Sequence, residues 1–238
     1  MIPEGFIAGA LDFPFDYGRI AAEIGACREF FNYAPPHPGH VEGGLSGKIP
    51  FMSESAQNYR RIEVLDGGAE GKPLRGISAF YLRNSTEGDV VRRSPYVFSK
   101  TLNHGSWHWR PELRERIAYT AECIESLPYE TIGVVRTFVC EDTFMPTHRD
   151  VKAAAEGSFD KSRTLGVSLI PATGGVGMLI WNPTLRRVEE VRGNCIVFDD
   201  SFWHGVPMTR GLRITIRIFG ELDFDRLAER LTGTFQVS

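Results

Sequence analysis

NCIVFDDSFWHGVPMTRGLRITIRIF, residues 194–219, sets two apolar runs on either side of a polar turn. NCIVFD is a short, apolar, β-branched run, the texture of a strand. LRITIRIF alternates strictly. On an extended chain Leu212, Ile214, Ile216 and Ile218 fall on one face, and Arg213, Thr215 and Arg217 on the other. Two arrangements give that pattern: an antiparallel strand with a solvated polar side, or a strand whose polar side lines the inside of a barrel.

The same texture runs outward from this stretch. TIGVVRTFVC (131–140), RTLGVSLIP (163–171), VGMLIW (176–181) and RRVEEV (186–191) are further short runs divided by turn residues. Six or more strands so spaced predict a β-sandwich or barrel in the C-terminal half. Upstream, DYGRIAAEIGACREFF (16–31) repeats Ile20, Ile24, Cys27 and Phe31 at helical spacing, with Asp16 placed to cap. RPELRERIAYTAECIESLP (110–128) reads as a second helix, opened by Pro111 and closed by Pro128. Its predicted buried stripe is Leu113, Ile117, Ala121, Ile124 and Leu127. Residues 34–105 are rich in Gly and Pro and predict loops with a few strands such as ISAFYL (77–82). The expected organisation is a single domain over 1–238, with a helix- and loop-rich part at 1–129 and a β core at 130–222.

Composition sets the class. With 238 residues, 42% hydrophobic and 24% charged, the chain is of ordinary globular make-up. No apolar run reaches the length of a membrane helix, and the first residues lack a secretory pattern, so a cytoplasmic protein is expected. A net charge of −3 argues against a nucleic-acid partner. Cys27, Cys123, Cys140 and Cys195 form no CxxC pair and are expected as reduced, buried thiols.

Chemistry concentrates in THRD (147–150) and SFWH (201–204). His148 and Asp150 stand two apart, which on a strand puts both on one face. His204 follows 56 residues after His148, and a folded sheet is able to bring it alongside. Two imidazoles and a carboxylate on one face leave open positions on an octahedral iron, as binding of a 2-oxo acid and dioxygen requires. Arg213 lies 9 residues beyond His204, where a bidentate pair with the far carboxylate of 2-oxoglutarate is expected, with Thr215 adding a hydroxyl. Arg136 falls among apolar residues of its strand, and Arg163 opens the next one. Both are candidate partners of an anionic cosubstrate, and buried ion pairs would account for them equally. Asp199 and Asp200 are candidates to orient His204 or to form a turn. Trp107, His108 and Trp109 form either a pocket wall or packing at a helix entry. His37 and His40 sit in a Gly/Pro loop and read as solvated.

FMPTHRD, SRTLGVSLIP, GNCIVFDDSFWHGV and LRITIRI together resemble the aspartyl/asparaginyl β-hydroxylase family and the bacterial free-proline hydroxylases of the same superfamily. The resemblance spans roughly residues 130–222. It implies a double-stranded β-helix (a cupin-like jelly roll) holding iron(II), with 2-oxoglutarate and dioxygen as cosubstrates. The implied reaction is hydroxylation of an amino acid or amino-acid-derived small molecule. It supports His148 and His204 as ligands, Arg213 at the 2-oxoglutarate carboxylate and Arg163 as a further contact. Aspartyl hydroxylases carry a small residue where Asp150 stands, so the ligand pattern is nearer the proline hydroxylases. The interval from His204 to Arg213 is one residue shorter than usual, which keeps Arg217 open as the carboxylate partner. Three other readings share parts of the pattern: a nucleobase demethylase with the same iron site, a non-catalytic cupin-like metal binder, and a hydrolytic zinc enzyme.

Overall fold

The structure is a computed structural model and describes residues 6–31, 33, 76–85, 107–148, 165–200 and 202–236. In chain order the strands are β1 (Phe6–Leu11), β2 (Gly76–Ser85), β3 (Trp107–Trp109), β4 (Tyr129–Glu141), β5 (Met145–His148), β6 (Leu165–Thr173), β7 (Met178–Asn182), β8 (Arg187–Val191), β9 (Cys195–Asp199), β10 (His204–Val206), β11 (Leu212–Leu222) and β12 (Leu231–Gln236). The helices are α1 (Tyr17–Gly25), α2 (Pro111–Arg114), α3 (Ala118–Glu125) and α4 (Phe224–Ala228).

Two antiparallel sheets hold the strands. The larger runs β12-β1-β9-β6-β11-β4-β2-β3, the smaller β5-β10-β7-β8. From β4 to β11 the chain visits large, small, large, small, small, large, small, large. That winding makes an eight-stranded jelly roll of two four-stranded sheets, the architecture of cupins. The strand order by itself fixes the fold as a double-stranded β-helix, with β1, β2, β3 and β12 widening the large sheet.

The alternation on β11 explains how the layers stack. Ile214, Ile216 and Ile218 join Val135, Val139, Val167, Leu169 and Val197 in one core, completed by Ile20 and Ile24 of α1 and by Leu113, Ile117 and Ile124 around α2 and α3. The apolar side of the large sheet is therefore covered by helices. Its other side faces the small sheet, where Ile170, Ile196 and Phe198 meet Met178, Ile180 and Val191. Arg213, Thr215 and Arg217 lie on this inner side, with exposures of 1%, 9% and 4%. Of the two arrangements that fit the alternation, the structure has the interior one.

Local differences have local reasons. Asp16 caps α1 as expected, accepting from the Arg19 amide at 2.9 Å. The helix stops at Gly25, however, and the chain continues as a 3-10 turn over Arg28–Phe30. The helix expected over 110–128 is two helices, because Ile117 leaves the helical region (φ −115°, ψ 38°). Its stripe is nonetheless buried as expected. All four cysteines are free and buried. Trp109 packs at the helix entry: its indole N–H donates to Glu125 at 2.7 Å, and Arg83 and Arg114 lie over the ring. No helix among the described residues is long and apolar enough to cross a membrane.

Candidate metal and cosubstrate site

The small sheet brings the two histidines together by register. β10 pairs antiparallel with β5, and His204 stands directly opposite His148, with a bulge before Val206 meets Met145. On its other side His204 pairs with Ile180 of β7, an inner-face residue. Residues directly opposite on antiparallel strands have Cβ atoms about 4.5–5.5 Å apart. The structure describes His148 through its backbone. Asp150, Arg163, His37 and His40 lie outside the described residues.

The imidazole of His204 is buried, at 4% exposure. Its Nδ1 lies 2.9 Å from the Phe202 carbonyl oxygen. A carbonyl only accepts, so Nδ1 carries a proton, and in the neutral ring the lone pair is then on Nε2, the state a metal-binding imidazole needs. Phe202 is set by its own turn, its amide donating to Asp199 O at 3.3 Å. The main chain of the DDSFWH segment thus orients His204. Asp200 has another part: its Oδ2 accepts from Arg217 Nη2 at 3.3 Å, both side chains being buried. The Phe198 ring packs against His204 with centroids 4.9 Å apart.

The two inner arginines of β11 differ in what the protein supplies to them. Arg217 Nη1 donates to Gly166 O at 2.5 Å and Ser168 Oγ at 3.4 Å, and Nη2 donates to Phe198 O and to Asp200. Its guanidinium lies 3.7 Å from the centre of the Phe198 ring. Gly166 is needed for this approach, since a Cβ there would stand 2.8 Å from Arg217 Cζ. Arg213 is tied through one nitrogen: Nη1 donates to Thr173 O at 3.0 Å and Val176 O at 2.7 Å. Its Nε and Nη2 are buried and have no hydrogen-bond partner among the described residues. These two nitrogens form the side-on edge of a guanidinium, whose parallel N–H groups match the two oxygens of a carboxylate. Burial pulls the pKa of Arg213 down to about 10, with Cys140 and Glu190 nearby opposing the shift, so it stays charged at neutral pH.

The turn behind Arg213 is equally confined. Gly174 takes φ +60°, and a Cβ there would come within 2.9 Å of Thr209 and 3.2 Å of the Arg213 Cβ. Arg136 on β4 stands opposite Arg217 on one side and Tyr81 on the other. Thr215 stands opposite Phe138, and Arg213 opposite Cys140. Among the described residues no group of three His, Cys, Asp or Glu side chains assembles into a metal site. Of the expected ligands, His204 is the one whose side chain is described. The donor set still fits iron(II) and an anionic chelator: an imidazole in the metal-binding tautomer, a second histidine in register with it, and a buried guanidinium with its bidentate edge unmet. Sequence reasoning missed Phe202 O and the Asp200–Arg217 pair, because main-chain acceptors and cross-strand partners leave no local pattern.

No protein-family model matches the chain, and no curated protein matches it. Among solved structures it is similar to a prolyl-4-hydroxylase from Pseudomonas putida, at 14% identity over 92% of this chain and 93% of that one, with a TM-score of 0.41. Likeness extends to AviO1 from Streptomyces viridochromogenes Tue57, at 12% identity over 91% and 90%, TM-score 0.41. A 2OG-Fe(II) oxygenase family oxidoreductase from Burkholderia pseudomallei is 14% identical over 69% and 77%, TM-score 0.34. At these TM-scores the likeness adds nothing to the strand order.

Proposed function

We propose that the chain is an iron(II)- and 2-oxoglutarate-dependent dioxygenase that hydroxylates an aliphatic carbon of an amino acid or amino-acid-derived small molecule. The observation that carries this reading is the register of β5 and β10, which pairs His148 with His204 in the small sheet of a jelly roll. His148, Asp150 and His204 are the proposed metal ligands, with Asp150 two positions beyond His148 in the chain. The unmet Nε/Nη2 edge of Arg213 supports a role at the distal carboxylate of 2-oxoglutarate, with Thr215 next on the same face. Arg217 is assigned to structure, because its guanidinium is taken up by Gly166, Ser168, Phe198 and Asp200. Arg163 remains a proposed further contact to the cosubstrate.

Iron(II) with 2-oxoglutarate and dioxygen supplies an oxidative decarboxylation to succinate and carbon dioxide, coupled to insertion of one oxygen into a C–H bond. The protein's own work is positional. Phe202 O keeps the proton of His204 on Nδ1 and so keeps its ring oriented. Thr173 O and Val176 O hold the Arg213 guanidinium in place before any anion arrives, which reduces the ordering cost of binding. The apolar set Ile170, Met178, Ile180, Ile196 and Phe198 keeps the inner space dry, which strengthens each charge contact inside it.

Supplied with iron(II), 2-oxoglutarate and oxygen, the protein is expected to release succinate, more in the presence of an accepted amino acid, and to stop when iron is chelated. Absence of succinate from folded, iron-loaded protein, with every amino acid and amino-acid derivative offered, contradicts the reading and favours a non-catalytic metal binder.

A further inference from the structure

Three arginines lie along the inner side of β4 and β11. Arg217 has Asp200. Arg213 is assigned above to the cosubstrate. Arg136 remains, and among the described residues no carboxylate pairs with it. Its Nε is buried without a hydrogen-bond partner there. Arg136 also stands directly across from Arg217, and like charges so placed repel. Of these two facing guanidiniums only Arg217 has a described carboxylate, an imbalance that an anion bound at Arg136 would relieve.

The surroundings of Arg136 say what kind of anion. Its guanidinium carbon lies 4.5 Å from the Phe138 ring centre and 5.5 Å from that of Tyr81, inside the range of cation–π attraction. Rings beside it engage the cation without accepting its N–H hydrogen bonds in the guanidinium plane, where a carboxylate binds. The inner side also opens in this direction. Arg213 and Arg217 on β11 are buried, Arg136, Phe138 and Tyr81 are half-buried, and Ala79 beyond them on β2 is exposed. Register links the rows: Phe138 has Thr215 on one side and Ala79 on the other. A ligand thus meets the cosubstrate row at its inner end and water at its outer end. Proximity to the metal side comes through one ring, since Phe198 touches both Arg217 and His204.

We propose that Arg136, walled by Phe138 and Tyr81, anchors the free carboxylate of the substrate. The substrate is then a small carboxylic acid of amino-acid type, not an internal residue of a peptide or an acyl group on a carrier. This deepens the dioxygenase reading and rests on it for the site's purpose, while the anion anchor is measured separately.

N-acetyl derivatives of L-alanine, L-leucine, L-proline and L-phenylalanine, each as acid and as carboxamide, are titrated without oxygen into protein given iron(II) and 2-oxoglutarate. Ligand-observed NMR reads binding, and visible absorption reads the iron–2-oxoglutarate chelate. Wild type is expected to bind at least one acid about tenfold or more tighter than its amide, the scale of one charge-assisted contact. Arg136→Gln erases that preference, Arg136→Lys keeps part of it, and both retain the chelate absorption and the wild-type circular dichroism. Lack of any acid preference in wild type, or its survival in Arg136→Gln, overturns the proposal. Loss of the chelate in Arg136→Gln also overturns it, by moving Arg136 to the cosubstrate. If wild type prefers the acids but shows no chelate at all, the dioxygenase reading fails and the anion anchor stands.

Discussion

His204→Ala yields a folded protein that binds iron(II) weakly and releases no measurable succinate. The imidazole is buried against Phe198, held by Phe202 O, and opposite His148 in register. Truncation removes one ring's packing and one hydrogen bond, a cost of about 2–4 kcal/mol, within what an ordinary domain tolerates. Catalysis is expected to lose far more, because a proposed ligand is removed outright: turnover falls below about a thousandth of wild type. Circular dichroism checks the fold, metal analysis after gel filtration checks the iron, and succinate assay checks the reaction. Turnover within tenfold of wild type in a folded His204→Ala protein would remove His204 from the ligand set.

Arg213→Met separates cosubstrate binding from stability. Methionine fills much of the space, and burying a thioether avoids the desolvation that lowers the arginine's pKa. The carbonyls of Thr173 and Val176 lose a donor, so the melting temperature without ligand shifts by only a few degrees. The 2-oxoglutarate requirement moves much further. Losing a buried, bidentate charge contact costs about 2–5 kcal/mol, a weakening of roughly thirtyfold or more. The check is the thermal shift on adding 2-oxoglutarate with iron(II): large in wild type, near zero in the variant at the same concentration. Equal shifts in the two proteins would place the carboxylate elsewhere. Arg217→Met is expected to behave in the opposite way, because it leaves Asp200 as a buried charge without that partner and so acts mainly on stability.

The parts of the fold legible in the sequence are those where a local period meets a packed face. LRITIRIF is readable because every second residue enters the core under the helices. The stripe from Leu113 to Leu127 is readable for the same reason, even though the helix carrying it breaks at Ile117. β10 is three residues long, too short to show a period, and exists through pairing with β5 and β7. β1 and β12 were not expected, because they pair with each other across more than 200 residues of chain and neither has a distinctive alternation.

The site divides the same way. The two-residue spacing of His148 and Asp150, with His204 further along, raised the proposed metal site, and it is the register that pairs His148 with His204. Arg213 and Arg217 look equivalent in sequence, two apart on one face of one strand. What distinguishes them comes from other strands: Gly166 and Ser168 on β6, Phe198 on β9 and Asp200 just after it. The same limit applies to Arg136, whose ring neighbours include Tyr81 on β2, a strand joined to β4 through more than 40 residues.

The most direct measurement is an anaerobic titration of iron(II) and 2-oxoglutarate into metal-free protein, followed by visible absorption, for wild type, His148→Ala and His204→Ala. A charge-transfer band is expected in wild type and none in either variant. A folded wild type with no band at saturating ligand, or a band that survives His204→Ala undiminished, would contradict it.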